Sequence, residues 1–142
     1  MADTTITVGS AGNLVLANEP TRGVTFEVYA SWDYVLFAND AHDAGTPVVF
    51  RQQGNGYIIE MTSSNYGGYV YWTFGLGADI YLVNKTSDAA VWSVTPATNG
   101  FMLTSGSKNA ACDTSASKRW LGVTANQYED ARKFVVFQFS KV

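Results

Sequence analysis

Tyr34-Val35-Leu36-Phe37-Ala38-Asn39-Asp40-Ala41-His42-Asp43-Ala44 sets the pattern of this chain: an apolar run closed by Asn, with Asp-Ala four residues further on. The same plan recurs at Asp79 to Val83, closed by Asn84 and followed by Asp88-Ala89. It returns once more at Leu121 to Ala125, closed by Asn126 and followed by Asp130-Ala131. The three Asn are spaced 45 and 42 residues apart, and each loop leads into another apolar stretch: Val48-Val49-Phe50, Val91-Trp92-Ser93-Val94 and Phe134 to Phe137. A second series runs in phase. Gly12, Gly56 and Gly100 stand 44 and 44 residues apart and precede Leu14-Val15-Leu16, Tyr57-Ile58-Ile59 and Phe101-Met102-Leu103. Asn55-Gly56 and Asn99-Gly100 are dipeptides that tight hairpin turns favour, so the sequence places turns on them.

Between these markers lie about a dozen short runs rich in β-branched and aromatic residues, separated by Gly, Asn, Asp and Ser. No window of ten residues or more carries a 3.6-residue apolar period with good helix formers. The periodicity divides one domain, residues 1–142, into repeats at about 11–53, 54–97 and 98–142, each with about four strands. Three repeats of four strands predict an all-β chain with the β-trefoil architecture. Each repeat would give two strands to a barrel and two to a hairpin cap, and apolar side chains would meet on the pseudo-threefold axis. The third repeat is the weakest. Its second strand is expected around Lys108 to Ala116, a nearly featureless stretch.

Composition agrees with this reading and narrows the function. Hydrophobic residues make up 46% of the 142, aromatics 14% and charged residues 15%, and the net charge is −3. That charge leaves no basic footprint for nucleic acid or anionic lipid. The single cysteine, Cys112, excludes an internal disulfide and a thiolate-based zinc site. The N-terminal Met1-Ala2-Asp3-Thr4-Thr5 has neither the basic nor the apolar region of a signal peptide, and no apolar run is long enough to span a bilayer. A cytoplasmic protein without membrane insertion is the expectation.

Catalytic constellations are absent. His42 is the only histidine, so nucleophilic triads and imidazole metal sites lack partners. The scattered carboxylates Asp40, Asp43, Asp79, Asp88, Glu129 and Asp130 would not converge as a glycosidase pair. No phosphate-binding glycine loop occurs, and Gly75-Leu76-Gly77 reads as a turn. A non-enzyme without cofactor or metal is expected. The sharpest polar signal is the repeated Asn-x-x-x-Asp. It fits turn chemistry, since Asn tolerates left-handed backbone and Asp closes turns onto its own chain. It equally fits sugar recognition, in which amide and carboxylate meet vicinal hydroxyls while an aromatic ring carries the C–H face of the pyranose. Trp32, Trp120 and Tyr128 lie near the repeated loops and could supply that platform, as could Trp72 in the second repeat's hairpin region, whereas Trp92 reads as core or barrel wall.

On the three Gly-led strands and the Asn39/Asp43, Asn84/Asp88 and Asn126/Asp130 pairs, the chain resembles the β-trefoil lectins, in particular the small cytosolic fruit-body lectins of mushrooms such as boletes. The resemblance implies a fungal, multivalent, defensive haemagglutinin that binds galactose or N-acetylgalactosamine on glycoproteins or glycolipids, at up to three sites. The Gln-x-Trp triplet of ricin-type trefoils is absent, so the candidate contacts rest on the internal repeat: Asn39, His42, Asp43, Asn84, Asp88, Asn126, Tyr128 and Asp130, with Trp32 and Trp120. No nucleic-acid partner is expected, and a homodimer stays open. The alternative for this architecture is a trefoil protease inhibitor that acts through one exposed loop and needs no repeated polar pair.

Overall fold

The computed structural model describes residues 6–125 and 133–142. Its strands are β1 (Ala11–Leu16), β2 (Glu19–Tyr29), β3 (Trp32–Phe37), β4 (Val48–Gln53), β5 (Gly56–Met61), β6 (Tyr71–Phe74) and β7 (Ile80–Val83). They continue as β8 (Ser93–Ala97), β9 (Gly100–Ser105), β10 (Lys108–Cys112), β11 (Arg119–Thr124), β12 (Lys133–Phe134) and β13 (Phe137–Lys141). One turn of 3-10 helix covers Thr86–Asp88.

Six strands close a barrel. β1 pairs with β4 and β13, β4 with β5, β8 with β9, and β9 with β13 through Phe101 and Phe137. A bridge between Tyr57 and Trp92 joins β5 to the start of the β8 segment. The other strands form three hairpins, β2–β3, β6–β7 and β10–β11. The hairpins contact one another in a triangle: Tyr34 opposite Tyr81, Asp79 opposite Gly122, and Arg119-Trp120 opposite Phe37-Leu36. This is the β-trefoil.

Alternation explains the barrel strands. Phe137 and Phe139 point inward while Gln138 between them is only half-buried, as a period of two requires. Leu14, Phe50, Ile59, Trp72, Trp92, Phe101 and Phe137 from all three repeats lie within one continuous core. Each such side chain stabilises the fold by about 1.5–3 kcal/mol through burial. The featureless stretch of the third repeat does form β10. Ala110, Ala111 and Cys112 are fully buried there, so small residues carry the packing that periodicity could not reveal.

Two local expectations change. The turns lie one residue earlier than the Asn-Gly dipeptides suggested: Gln53 pairs with Gly56 and Ala97 with Gly100, which makes Gly54-Asn55 and Thr98-Asn99 the two-residue loops. Asn99, at φ +65°, and Gly54, at φ +59°, take the left-handed backbone. Gly56 and Gly100 instead serve close approach, since a Cβ would lie 2.6 Å from the Trp92 carbonyl oxygen or 2.1 Å from that of Phe137. The strand expected at Val91–Val94 runs from Ser93 to Ala97. It tolerates Pro96 because β8 is an edge of the sheet path and donates nothing there on its outer side.

Candidate functional site

The tip of the β2–β3 hairpin turns through Ala30 and Ser31, at φ +51° and +69°. It thereby places Tyr29 and Trp32 side by side in the ladder. Tyr29 is 66% exposed and Trp32 41%. The β6–β7 turn, Gly75-Leu76-Gly77, brings a fully exposed Leu76 next to Trp32, and the loop before β6 adds Tyr66 and Tyr69. The result is an aromatic surface on the hairpin cap. Trp32 meets Tyr81 edge-on at 5.3 Å and Tyr69 at 6.1 Å, while Tyr34 meets Tyr81 at 5.9 Å and Trp120 at 6.3 Å.

Two open clefts, each about 340 Å3, cut this surface and share Tyr34 and Asp79 as a common wall. The first is lined by Trp32, Tyr34, Gly75, Leu76, Gly77, Asp79 and Tyr81. The second is lined by Tyr29, Tyr34, Asp79, Trp120 and Leu121. Tyr34, Asp79 and Leu121 each stand five residues before the repeated Asn, so they occupy the same place in the three repeats. The second cleft therefore lies where the three hairpins converge, on the pseudo-threefold axis, and exists once per chain.

Polar contacts stiffen the rim. The carboxylate of Asp33, which is 1% exposed, accepts the backbone N–H of Asn65 at 2.8 Å and its side-chain amide at 2.7 Å, tying the 62–69 loop to β3. Glu27 accepts both the Asn39 amide and the Lys118 ammonium, and Lys118 lies 5.8 Å from the Trp120 ring centroid. Glu19 accepts Arg119 and Arg22, joining β2 to β11. The hydrogen bond from Arg119, helped by Arg22, holds the Glu19 carboxyl below its ordinary range against the opposing effect of burial.

The structure gathers Trp32 and Trp120 onto this one surface and separates them from the repeated loops. Trp32 opens β3 and Asn39 lies two residues past its end, about 23 Å away along an extended strand. One monosaccharide cannot touch both. Asp43 accepts the Gly45 N–H at 2.8 Å, and the neighbouring Asp40 accepts the backbone N–H of His42 at 2.8 Å, so the first loop uses its carboxylates to close its own turns. His42, Asn84 and Asp88 are exposed, and the Asp88 carbonyl accepts the Thr73 hydroxyl at 2.9 Å. Asn39, His42, Asp43, Asn84 and Asp88 line neither cleft. Asn126, Tyr128 and Asp130 lie outside the described residues. Trp72 and Trp92 are fully buried core. Sequence reasoning missed Tyr29, Tyr34, Asp79 and Tyr81. The available signal was the alternation Trp32-x-Tyr34 beside a turn whose residues cannot be packed inside.

The described residues contain no group of three or more His, Cys, Asp or Glu placed to hold a metal ion, and no helix among them is long and apolar enough to cross a membrane.

Comparison with known proteins gives the class. No protein-family model and no curated relative matches the sequence. Solved structures do match in shape. Lysenin in complex with phosphocholine superposes with a TM-score of 0.75 at 13% identity over 99% of this chain and 47% of that one, so the chain spans about half the length of lysenin. Water-soluble chlorophyll protein from Brassica oleracea var. Botrytis gives 0.75 at 14% identity, covering 96% of this chain and 93% of that one. The soybean trypsin inhibitor gives 0.70 at 12%, covering 96% and 94%. At these identities the likeness establishes the β-trefoil fold alone.

Proposed function

We propose that the chain is a non-enzymatic lectin, similar to the small cytoplasmic mushroom lectins, that binds galactose or N-acetylgalactosamine on glycoproteins or glycolipids. One observation carries this reading: a half-exposed Trp32 lines an open cleft together with Asp79, Tyr34, Tyr81 and the turn Gly75-Leu76-Gly77. Galactose has an axial 4-hydroxyl, which leaves a broad C–H face on the other side of its ring, and an exposed indole is the platform for such a face. A carboxylate beside the platform accepts two vicinal hydroxyls, and glycine-flanked backbone lets a sugar approach without side-chain collision. A protein short of charged residues suits a neutral ligand. If the loops at Asp88 and Asp130 bind as well, weak sites on one rigid body gain avidity on clustered glycans.

A glycan array with the wild-type protein, followed by Trp32→Ala, tests the reading: galactosides should be retained by the first and lost, about tenfold or more, by the second. Asp43→Ala, Asp88→Ala and Asp130→Ala, singly and together, report on the repeated loops. A folded protein that retains no glycan rejects the lectin. A second reading, a trefoil protease inhibitor, is supported by the exposed β2–β3 tip, whose non-glycine residues Ala30 and Ser31 are held at positive φ as a rigid projecting loop. One-to-one inhibition of a protease, in the absence of glycan binding, would favour it.

A further inference from the structure

The axial cleft has a different geometry from the cleft at Trp32. Tyr29, Tyr34 and Trp120 form its walls, with centroid separations of 6.0 Å for Tyr29–Tyr34, 6.3 Å for Tyr29–Trp120 and 6.3 Å for Tyr34–Trp120. The corresponding interplanar angles are 83°, 66° and 82°. The three pairs meet edge to face near right angles, so the rings line the cleft from three directions, whereas a pyranose needs one broad plane. A cation held about 4.5 Å from each of three perpendicular ring faces would put their centroids about 6.4 Å apart. The observed separations match that spacing. Among the described residues Asp79 is the only acidic one of the lining, and Leu121 supplies an aliphatic floor.

From this geometry we propose that the axial cleft binds an organic cation of the quaternary ammonium class, in the manner of an aromatic cage. Ring faces carry negative quadrupolar potential and attract a cation without asking it to donate hydrogen bonds. A primary ammonium brings three N–H donors that rings and an aliphatic floor cannot satisfy, so its desolvation is expensive there. A methylated ammonium has no such donors, sheds water readily, and presents the roughly spherical apolar shell that a three-walled corner fits. The net charge of −3 favours approach of a cation. Lys118 does not line the cleft; its ammonium is held by Glu27 while it lies over Trp120, so this ring already accepts a cationic neighbour.

The repeats sharpen the point. Tyr34, Asp79 and Leu121 are equivalent by position, yet they are a ring, a carboxylate and an aliphatic side chain. On a threefold axis such divergence assembles one asymmetric site from three copies of one position.

Isothermal titration calorimetry of the whole chain against tetramethylammonium chloride and choline, with sodium chloride matching ionic strength, tests the proposal. Both cations should bind one-to-one and compete with each other. The neutral isostere of choline, 3,3-dimethylbutan-1-ol, should bind at least about tenfold more weakly, because it keeps the shape and loses the charge. Tyr29→Leu should weaken tetramethylammonium about tenfold, while Tyr29→Phe restores it. Flotation with phosphatidylcholine vesicles, against phosphatidylglycerol vesicles, separates the sources. Retention on the former that tetramethylammonium displaces assigns the site to lipid headgroups, and binding of the free cations alone assigns it to soluble ones; either upholds the proposal. Absence of tetramethylammonium binding at millimolar concentration, equal binding of the neutral isostere, or an unchanged Tyr29→Leu variant overturns it.

Discussion

Gly100→Ala probes the reason for the glycine repeat. A methyl group at this position would sit 2.1 Å from the Phe137 carbonyl oxygen and 3.0 Å from Cγ1 of Val136. An ordinary contact is about 3.4 Å or more, so β13 must retreat from β9 by about 1.3 Å, against a core in which Phe137 stacks on both Phe101 and Phe37. Overpacking of this kind costs about 1–3 kcal/mol, and loss of the Phe101–Phe137 pairing adds to it, so about 3 kcal/mol is expected. For a domain of this size that lowers Tm by about 10 °C. Gly106→Ala is the control: its φ is +62° and a Cβ there meets nothing within 4 Å, so only the left-handed backbone penalty applies, about 1 kcal/mol or about 3 °C. Differential scanning calorimetry of both variants gives the comparison. Were Gly100 a turn residue chosen for its conformational freedom, the two would lose similar stability. A Gly100→Ala variant within about 1 kcal/mol of wild type would refute the close-approach account.

Three further outcomes follow from named contacts. The Glu19 carboxyl titrates below its ordinary value in the folded state, so its ion pairs stabilise the protein above the unfolded-state pKa and that contribution fades as pH falls through the folded one. The Tm gap between wild type and Glu19→Gln should therefore be widest near neutrality and close in acid, and a gap that grows in acid contradicts the assignment. Trp92→Phe should cost about 1–2 kcal/mol less than Trp72→Phe in urea unfolding. The Trp92 indole N–H is buried without a partner among the described residues, whereas that of Trp72 donates to the Met61 sulfur at 3.1 Å. Asp33→Ala should lose about 2 kcal/mol, because it removes two hydrogen bonds to a buried carboxylate, and hydrogen exchange should speed up at residues 62–69 while the barrel strands stay protected.

The architecture was legible because a threefold chain writes its period into residues that do local work. Asn39 and Asn84 end strands, Asp43 closes a turn, and Gly12, Gly56 and Gly100 permit close packing in the barrel. The same fact keeps a turn and a binding site from being told apart. Turn chemistry and sugar chemistry use the same amide and carboxylate groups, and in the first loop backbone N–H groups take up the Asp40 and Asp43 carboxylates while Glu27 takes up the Asn39 amide. Trp32 and Trp120 are singled out in the sequence by their nearness to the repeated loops, and the structure instead places both on the aromatic surface of the cap. Tyr29 and Tyr34 lie on the β2–β3 hairpin and Asp79 and Tyr81 on the β6–β7 hairpin, so the sequence does not show the four as one group. Only the cross-hairpin pairs, Tyr34 with Tyr81 and Asp79 with Gly122, bring them together, and such register is a tertiary property.

A repeated sequence suggests repeated sites, and a closed threefold fold has one place where that inference fails. Positions away from the axis occur three times and can each carry a copy of one site. Where the axis crosses the cap, equivalent residues face a single shared space, so they contribute together to one site. Tyr34, Asp79 and Leu121 meet in this way, and identity among them would be a handicap: three tyrosines would crowd the cleft and three carboxylates would repel one another. Divergence at that position is accommodated because the three side chains have different surroundings: Tyr34 and Asp79 are partly exposed on the cap, while Leu121 is buried in the core. The same divergence supplies the mixed chemistry that recognition of one small ligand requires. In a symmetric repeat protein, the positions at which equivalent residues disagree most on the axis are accordingly the ones to search for a unique binding site.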